Sequence, residues 1–210
     1  MVDLGIFYSA SNQWIVDVKC PFYEKFLPLF EDQTLRGDDE SNIKTTLNGY
    51  QFDITPANLP VWKDNKPMDG TVDYQELMTW VMTMVRRNGI PVKSLKVVKT
   101  WCVDYDDGGY QVIHNHGSGC ISMVMAMDDT APAGERMSAD NGMLYSLMPN
   151  PDTTQEYNQF APYPGRTVIM DGKVWHGVYP CKAPRRTWVV DFEYEYFKPD
   201  EEFNPQDEIK

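Results

Sequence analysis

The sequence is short of positive charge, of histidine and of paired cysteines, and each shortage excludes something. Its 19 Lys and Arg stand against 31 Asp and Glu, leaving a net charge of -12. That balance argues against a nucleic-acid partner, because binding a phosphate backbone needs a basic face that displaces counterions. Four cysteines, Cys20, Cys102, Cys120 and Cys181, are scattered over 210 residues without a Cys-x-x-Cys pair. Neither a zinc ribbon nor a thioredoxin-like motif is supported by that spacing. No run of apolar residues approaches the roughly 18 needed for a membrane span, and no apolar leader precedes a small-residue cleavage site. The expectation is a cytoplasmic protein with free, mostly buried thiols and no membrane partner. Internal repeats and low-complexity blocks are also missing, and oligomeric state is left open.

What is present suffices for a sizeable core, with 42% hydrophobic and 13% aromatic residues. The length fits a single domain over residues 1–198, with an N-terminal elaboration (1–92), a core (93–198) and an acidic tail (199–210). In the elaboration, Trp14, Val16 and Val18 alternate as on a half-buried strand. Asn48-Gly49, between two β-prone runs from Lys44 to Ile54, reads as a short hairpin. Arg36 to Ser41 reads as a solvated charged loop, its Arg-Gly-Asp a chance match.

The clearest helix runs from about Val72 to Arg87. Leu77, Trp80, Val81, Met84 and Val85 recur at helical spacing and form one apolar stripe. Asp73 and Glu76 suit its positive end, Arg86 and Arg87 its negative end, and Asn88-Gly89 its stop. The stripe implies a helix lying as a buttress on a sheet. From Leu95 onward, seven short β-runs follow: Leu95–Tyr105, Tyr110–His116, Cys120–Met127, Gly142–Leu147, Arg166–Met170, Val174–Tyr179 and Thr187–Tyr196. They imply an all-β sandwich or barrel. Met123, Met125 and Met127 share one core face, and Trp175 and Trp188 are expected to pack. Pro56–Thr71, Asp128–Asn141 and Pro149–Pro164 read as loops.

The chain has only three histidines. His114 and His116 are two apart in a strand pattern, so both rings can address one metal ion from one face. His176 lies on a later strand that follows Asp171-Gly172, and a barrel can bring the two strands together. Imidazole nitrogen suits iron, zinc, copper and nickel.

Nine residues beyond His176 stands Arg185, in Cys181-Lys182-Ala183-Pro184-Arg185-Arg186-Thr187-Trp188. With Gly108-Gly109-Tyr110-Gln111-Val112-Ile113-His114-Asn115-His116 and the glycine-led run from Gly165 through His176-Gly177-Val178-Tyr179-Pro180, this pattern resembles the 2-oxoglutarate/Fe(II)-dependent oxygenases. The prolyl-hydroxylase-like and phage-encoded branches are the most similar. The resemblance spans about residues 95–196.

It implies a mainly β fold: a double-stranded β-helix, a jelly-roll or cupin-like barrel buttressed by one or two N-terminal helices. It implies Fe(II) on His114, His116 and His176, with 2-oxoglutarate and dioxygen as cosubstrates. The reaction would be hydroxylation of a C–H bond in a peptidyl, amino-acid or small-molecule substrate. Arg185 with Thr187 on the same strand face would bind the cosubstrate's far carboxylate, Arg186 being the alternative. Tyr105 or Tyr110 could give it a hydroxyl.

The family's usual carboxylate is replaced by His116, so three neutral imidazoles would leave a site of charge +2 rather than +1. Whether both His114 and His116 ligate stays open at this point. Two other readings remain. One is a cupin-type dioxygenase or isomerase without 2-oxoglutarate, although the expected glutamate is missing and Arg185 has no task. The other is a non-catalytic β-helix module for binding or structure.

Overall fold

The computed structural model describes residues 3–8, 12–31, 45–64, 66–68, 70–128, 141–149, 155–182 and 184–205. In chain order the strands are β1 (Asp3–Tyr8), β2 (Trp14–Lys19), β3 (Thr46–Asp53), β4 (Val61–Lys63), β5 (Lys66–Met68) and β6 (Val92–His114). They continue with β7 (Cys120–Ala126), β8 (Leu144–Pro149), β9 (Gln155–Phe160), β10 (Arg166–Asp171), β11 (Trp175–Val178) and β12 (Arg185–Tyr196). A 3-10 turn (Tyr23–Phe26) and a short helix α1 (Pro28–Glu31) follow β2, and the helix α2 (Val72–Arg87) precedes β6.

All pairings are antiparallel, in the order β1-β2-β10-β7-β12-β6-β11-β8-β9. The sheet curls because β6 belongs to both of its halves. Its residues 92–105 pair with β12, whereas Gln111 and His114 pair with β11. The chain is therefore mainly β, a curled double-stranded β-helix of jelly-roll type with few helices. The two runs expected at Leu95–Tyr105 and Tyr110–His116 are one bent strand. The Asp-Asp-Gly-Gly stretch between them bends it instead of ending it, with Gly108 at φ +76°. A Cβ on Gly109 would run into the Asn48 carbonyl.

Strand alternation sorts the side chains into two cores. Trp14, Val16, Val18, Met123, Met125, Trp188, Val190 and Phe192 face outward into a layer with α2. Ile15, Trp101, Val103, Tyr105, Val124, Val168, Met170 and Val189 face inward, between the two halves of the curled sheet. Trp188 anchors the outer layer: its ring lies 4.3 Å from Phe26, and its indole N–H donates to Thr100 Oγ1 at 2.7 Å. Truncating such a residue to Ala typically costs about 3–5 kcal/mol. β2 is buried on both faces, not half-buried. Its inward Asp17 accepts two hydrogen bonds from Arg166 of β10, at 2.9 and 2.6 Å.

The helix α2 has the expected bounds and a wider buried surface than one stripe, since Tyr74, Met78 and Met82 are also covered. It ends on Gly89 at φ +78°, where Gly89 N–H donates to Arg86 and Ile90 N–H to Val85, satisfying the last carbonyls. Among the described residues, no helix is long and apolar enough to cross a membrane.

Four other expectations change, the first being that the expected loop Pro56–Thr71 carries the paired short strands β4 and β5. Asn48-Gly49 makes no hairpin: Asn48 takes φ +48° and forms a bulge within β3, which runs along β6. β9 lies in the span expected to be a loop, on the outer edge, where its polar Gln-Glu-Tyr-Asn-Gln carries no apolar alternation. At the C-terminus, Glu201 pairs with Lys93 and Phe203 packs on Phe197, so the first residues of the tail are anchored. The Arg36–Ser41 loop lies outside the described residues, as do parts of the two later loops.

Candidate metal centre

The three histidines are brought together at one end of the barrel. Their nearest ring nitrogens all lie within 4.8 Å of one another. His114 and His176 are direct partners across the β6–β11 ladder, with ring centroids 4.5 Å apart. The register of this ladder slips, so that Gln111 and His114 of β6 face Val178 and His176 of β11. One extra residue in β6 reverses its alternation. Both Gln111 and His114 then point inward, and Val112 and Ile113 are left exposed.

His116 lies just beyond the end of β6. Its backbone N–H donates to Gly172 at 2.8 Å, and Gly172 donates to Cys120 at 2.8 Å. The Asp171-Gly172 turn thus ties the end of β6 to the start of β7 and sets the position of His116. On β11, His176 points inward and is buried, whereas Trp175 is 48% exposed, contrary to the expectation that it packs.

Each imidazole is oriented through Nδ1. That atom lies 2.9 Å from the Val112 carbonyl in His114, 3.0 Å from the Val174 carbonyl in His176, and 2.8 Å from both Asp191 oxygens in His116. An Nδ1–H that donates to an acceptor leaves Nε2 with a free lone pair, the arrangement found at protein metal sites. Nε2 of His116 is buried without a hydrogen-bond partner. Such an orphan is costly unless something binds it. Burial, with the adjacent rings adding to it, holds His176 well below its ordinary range; His114 is lowered too, mainly by burial. Both shifts favour the neutral form that a metal requires. The donor set and its orientation fit a divalent metal of the iron or zinc class.

Asp191 was not legible as a site residue from motif spacing. The available signal was a lone carboxylate in the apolar run Val189-Val190-Asp191-Phe192, on the same face as Arg185 and Thr187. The Cys120 thiol also faces it, and burial pushes that thiol up to about 12, so it stays protonated.

Arg185 and Thr187 enter the barrel on that face and are 3% and 1% exposed. Nε and Nη1 of Arg185 and Oγ1 of Thr187 are buried with no hydrogen-bond partner. The guanidinium lies 5.8 Å from the Tyr105 ring centroid and borders a recess walled by Val124, Leu144, Phe160 and Val168. Gly142 makes room for it, as a Cβ there would press on Arg185 and Cys181. Arg186 points the other way, half exposed, 3.4 Å from Asp104. The Tyr105 hydroxyl donates to Gln111 at 3.1 Å. Tyr110 is adjacent to Gln111 on an extended strand and so points to the opposite face, away from Arg185.

Comparison with known proteins agrees with the fold. No family model and no curated protein matches the sequence. Among solved structures, the chain is similar to a Pseudomonas putida prolyl-4-hydroxylase (13% identity, 86% of this chain and 92% of that one, TM-score 0.56). It is similar also to a 2OG-Fe(II) oxygenase family oxidoreductase from Burkholderia pseudomallei (13% identity, 85% and 84% covered, TM-score 0.51). A third is a Trichoplax adhaerens prolyl hydroxylase in complex with a hypoxia inducible factor oxygen degradation domain peptide fragment (14% identity, 85% and 83% covered, TM-score 0.51). The chain shares the fold of these oxygenases.

Proposed function

We propose that this chain is a non-heme Fe(II)- and 2-oxoglutarate-dependent dioxygenase that hydroxylates a C–H bond. The observation that carries this reading is the pairing, inside one barrel, of three imidazoles oriented for metal with an unsatisfied buried Arg185–Thr187 pair. A metal alone would leave the guanidinium and hydroxyl without a purpose, and their burial would be pure cost. A dicarboxylate that chelates the metal at one end and meets Arg185 at the other satisfies both groups.

His114, His116 and His176 would hold the iron, their Nδ1 atoms being engaged and Nε2 left available. When bound, that iron would supply, with 2-oxoglutarate and dioxygen as cosubstrates, the oxidising power for attack on a C–H bond. Arg185 takes the far carboxylate with its guanidinium fork, and Thr187 adds a hydroxyl donor. The Tyr105 ring flanks the guanidinium, its hydroxyl being engaged by Gln111. Val124, Leu144, Phe160 and Val168 keep water from that end of the cosubstrate. The net charge argues against a nucleic-acid substrate. A peptidyl or small-molecule substrate fits better, and the peptide complex of one structural relative favours the former.

The test is anaerobic titration of the iron(II)-loaded protein with 2-oxoglutarate, following the weak visible charge-transfer band of the chelate. A saturable band that is lost in Arg185→Ala is expected. Bound iron without a band would favour a cupin-type enzyme that does not use 2-oxoglutarate; no bound iron would favour a non-catalytic module.

A further inference from the structure

The three ring orientations described above are not equivalent. His114 and His176 rest on peptide carbonyls, which are neutral, whereas His116 rests on a carboxylate. Both Asp191 oxygens are 2.8 Å from the same nitrogen. The imidazole is clamped further by the Trp101 ring, nearly parallel at 16° with centroids 5.7 Å apart, and by His176 at 5.0 Å. Ser122 Oγ approaches the same Nδ1 at 3.4 Å. The side chains of His116 and Asp191 are 6% and 15% exposed, so little water screens the pair.

The position matters because of the charge count. A donor set with two imidazoles and a carboxylate reduces a divalent ion to +1, and three imidazoles leave it at +2. Here a carboxylate stands directly behind one of the three rings, at its Nδ1. We propose that Asp191 is a charge-balancing positioning residue which, acting through His116, restores to the metal centre the negative charge that its three-imidazole donor set lacks. The inference rests on the reading of the three histidines as metal ligands and is independent of 2-oxoglutarate.

Two consequences follow from elementary electrostatics. A carboxylate hydrogen-bonded to Nδ1 makes Nε2 a stronger donor, and loss of such a partner typically lowers metal affinity by about 10–100-fold. A negative charge near the metal stabilises the higher oxidation state more than the lower, so its removal raises the Fe(III)/Fe(II) midpoint potential. A purely structural role for Asp191, fixing ring orientation alone, would leave the potential unmoved.

Asp191→Asn separates the two roles. The amide oxygen can still accept from Nδ1–H, so orientation survives while the charge goes. The experiment measures Fe(II) affinity by anaerobic equilibrium dialysis and the midpoint potential by spectroelectrochemistry. It uses the full-length wild type, Asp191→Asn, Asp191→Glu and His176→Ala. Asp191→Asn should bind iron about tenfold more weakly or worse and show a raised potential, with Asp191→Glu remaining near the wild type in potential. Wild-type affinity and potential in Asp191→Asn, with binding lost in His176→Ala, would overturn the proposal and leave the metal centre standing. Equal iron binding by wild type and His176→Ala would overturn the metal centre and the proposal with it. If Asp191→Asn does not fold, the double variant Asp191→Ser with Ser122→Asp moves the carboxylate to another side of the same nitrogen. A potential near that of the wild type supports the proposal there, and a raised one overturns it.

Discussion

His114 on β6 and His176 on β11 stand directly opposite each other, and a one-residue bulge in β6 turns His114 inward to make that possible. The two strands are distant in sequence, and the register that joins them fixes the ring spacing more tightly than any loop could. The centre is thus built on rigid elements, with His116 added by a turn.

Removal of His176 should abolish metal binding and, with it, any metal-dependent turnover. Metal analysis of His176→Ala after loading and desalting is expected to give no bound iron where the wild type retains it. Retention of a full equivalent would mean that the iron is not held by this histidine cluster.

The two adjacent arginines should behave differently. Arg185→Ala is expected to raise the 2-oxoglutarate requirement by roughly 30-fold or more, the cost of removing one partner from a buried charge pair. Arg186→Ala, at the surface beside Asp104, should change it little. Arg185→Met should unfold at or above the wild-type temperature in the absence of cosubstrate, because it removes a guanidinium whose Nε and Nη1 are buried and unpaired. Thermal unfolding with and without 2-oxoglutarate reads both effects.

The metal-free protein should lose stability on acidification. His114 and His176 are held below their ordinary value of 6.5 in the folded state. Below about that pH the unfolded chain binds protons that the folded chain does not. Stability therefore rises with pH through this window and levels off above it. Denaturant midpoints measured between pH 5 and 8 should show this slope in the wild type, and a smaller one in His176→Gln. An unchanged slope would mean that His176 is not buried in its neutral form.

Gly109→Ala should cost about 1–3 kcal/mol, as overpacking against backbone does. The new methyl would meet the Asn48 carbonyl, at the bend where β6 crosses between the halves of the sheet. Gly117→Ala has open space around the new Cβ, and its cost is only that of its φ of +87°. Chemical denaturation of the two variants checks the comparison. A milder effect at Gly109 would mean that β3 yields easily.

Much of the fold was legible because it is local. The helix over residues 72–87 is written in the spacing of Leu77, Trp80, Val81, Met84 and Val85 and in its end residues. The core strands β7, β10 and β12 are written in β-branched and apolar runs that can lie only between two packed layers. β9 was missed because an edge strand needs no apolar alternation, and the Asn48-Gly49 hairpin was expected where a bulge occurs, because both use the same left-handed conformation. At the candidate site, the residue types could be read, and their partners could not.

The sequence by itself determined the mainly β character of the chain, the spacing of its three histidines and the arginine that follows the last of them. Only the tertiary structure decided which side chains the barrel encloses. The slipped β6–β11 register turns His114 inward, Arg185 is buried where Arg186 is not, and Asp191 lies behind His116. Periodicity along one strand sets the face on which a side chain lies. What that face meets depends on register between strands remote in sequence, and no local pattern encodes it.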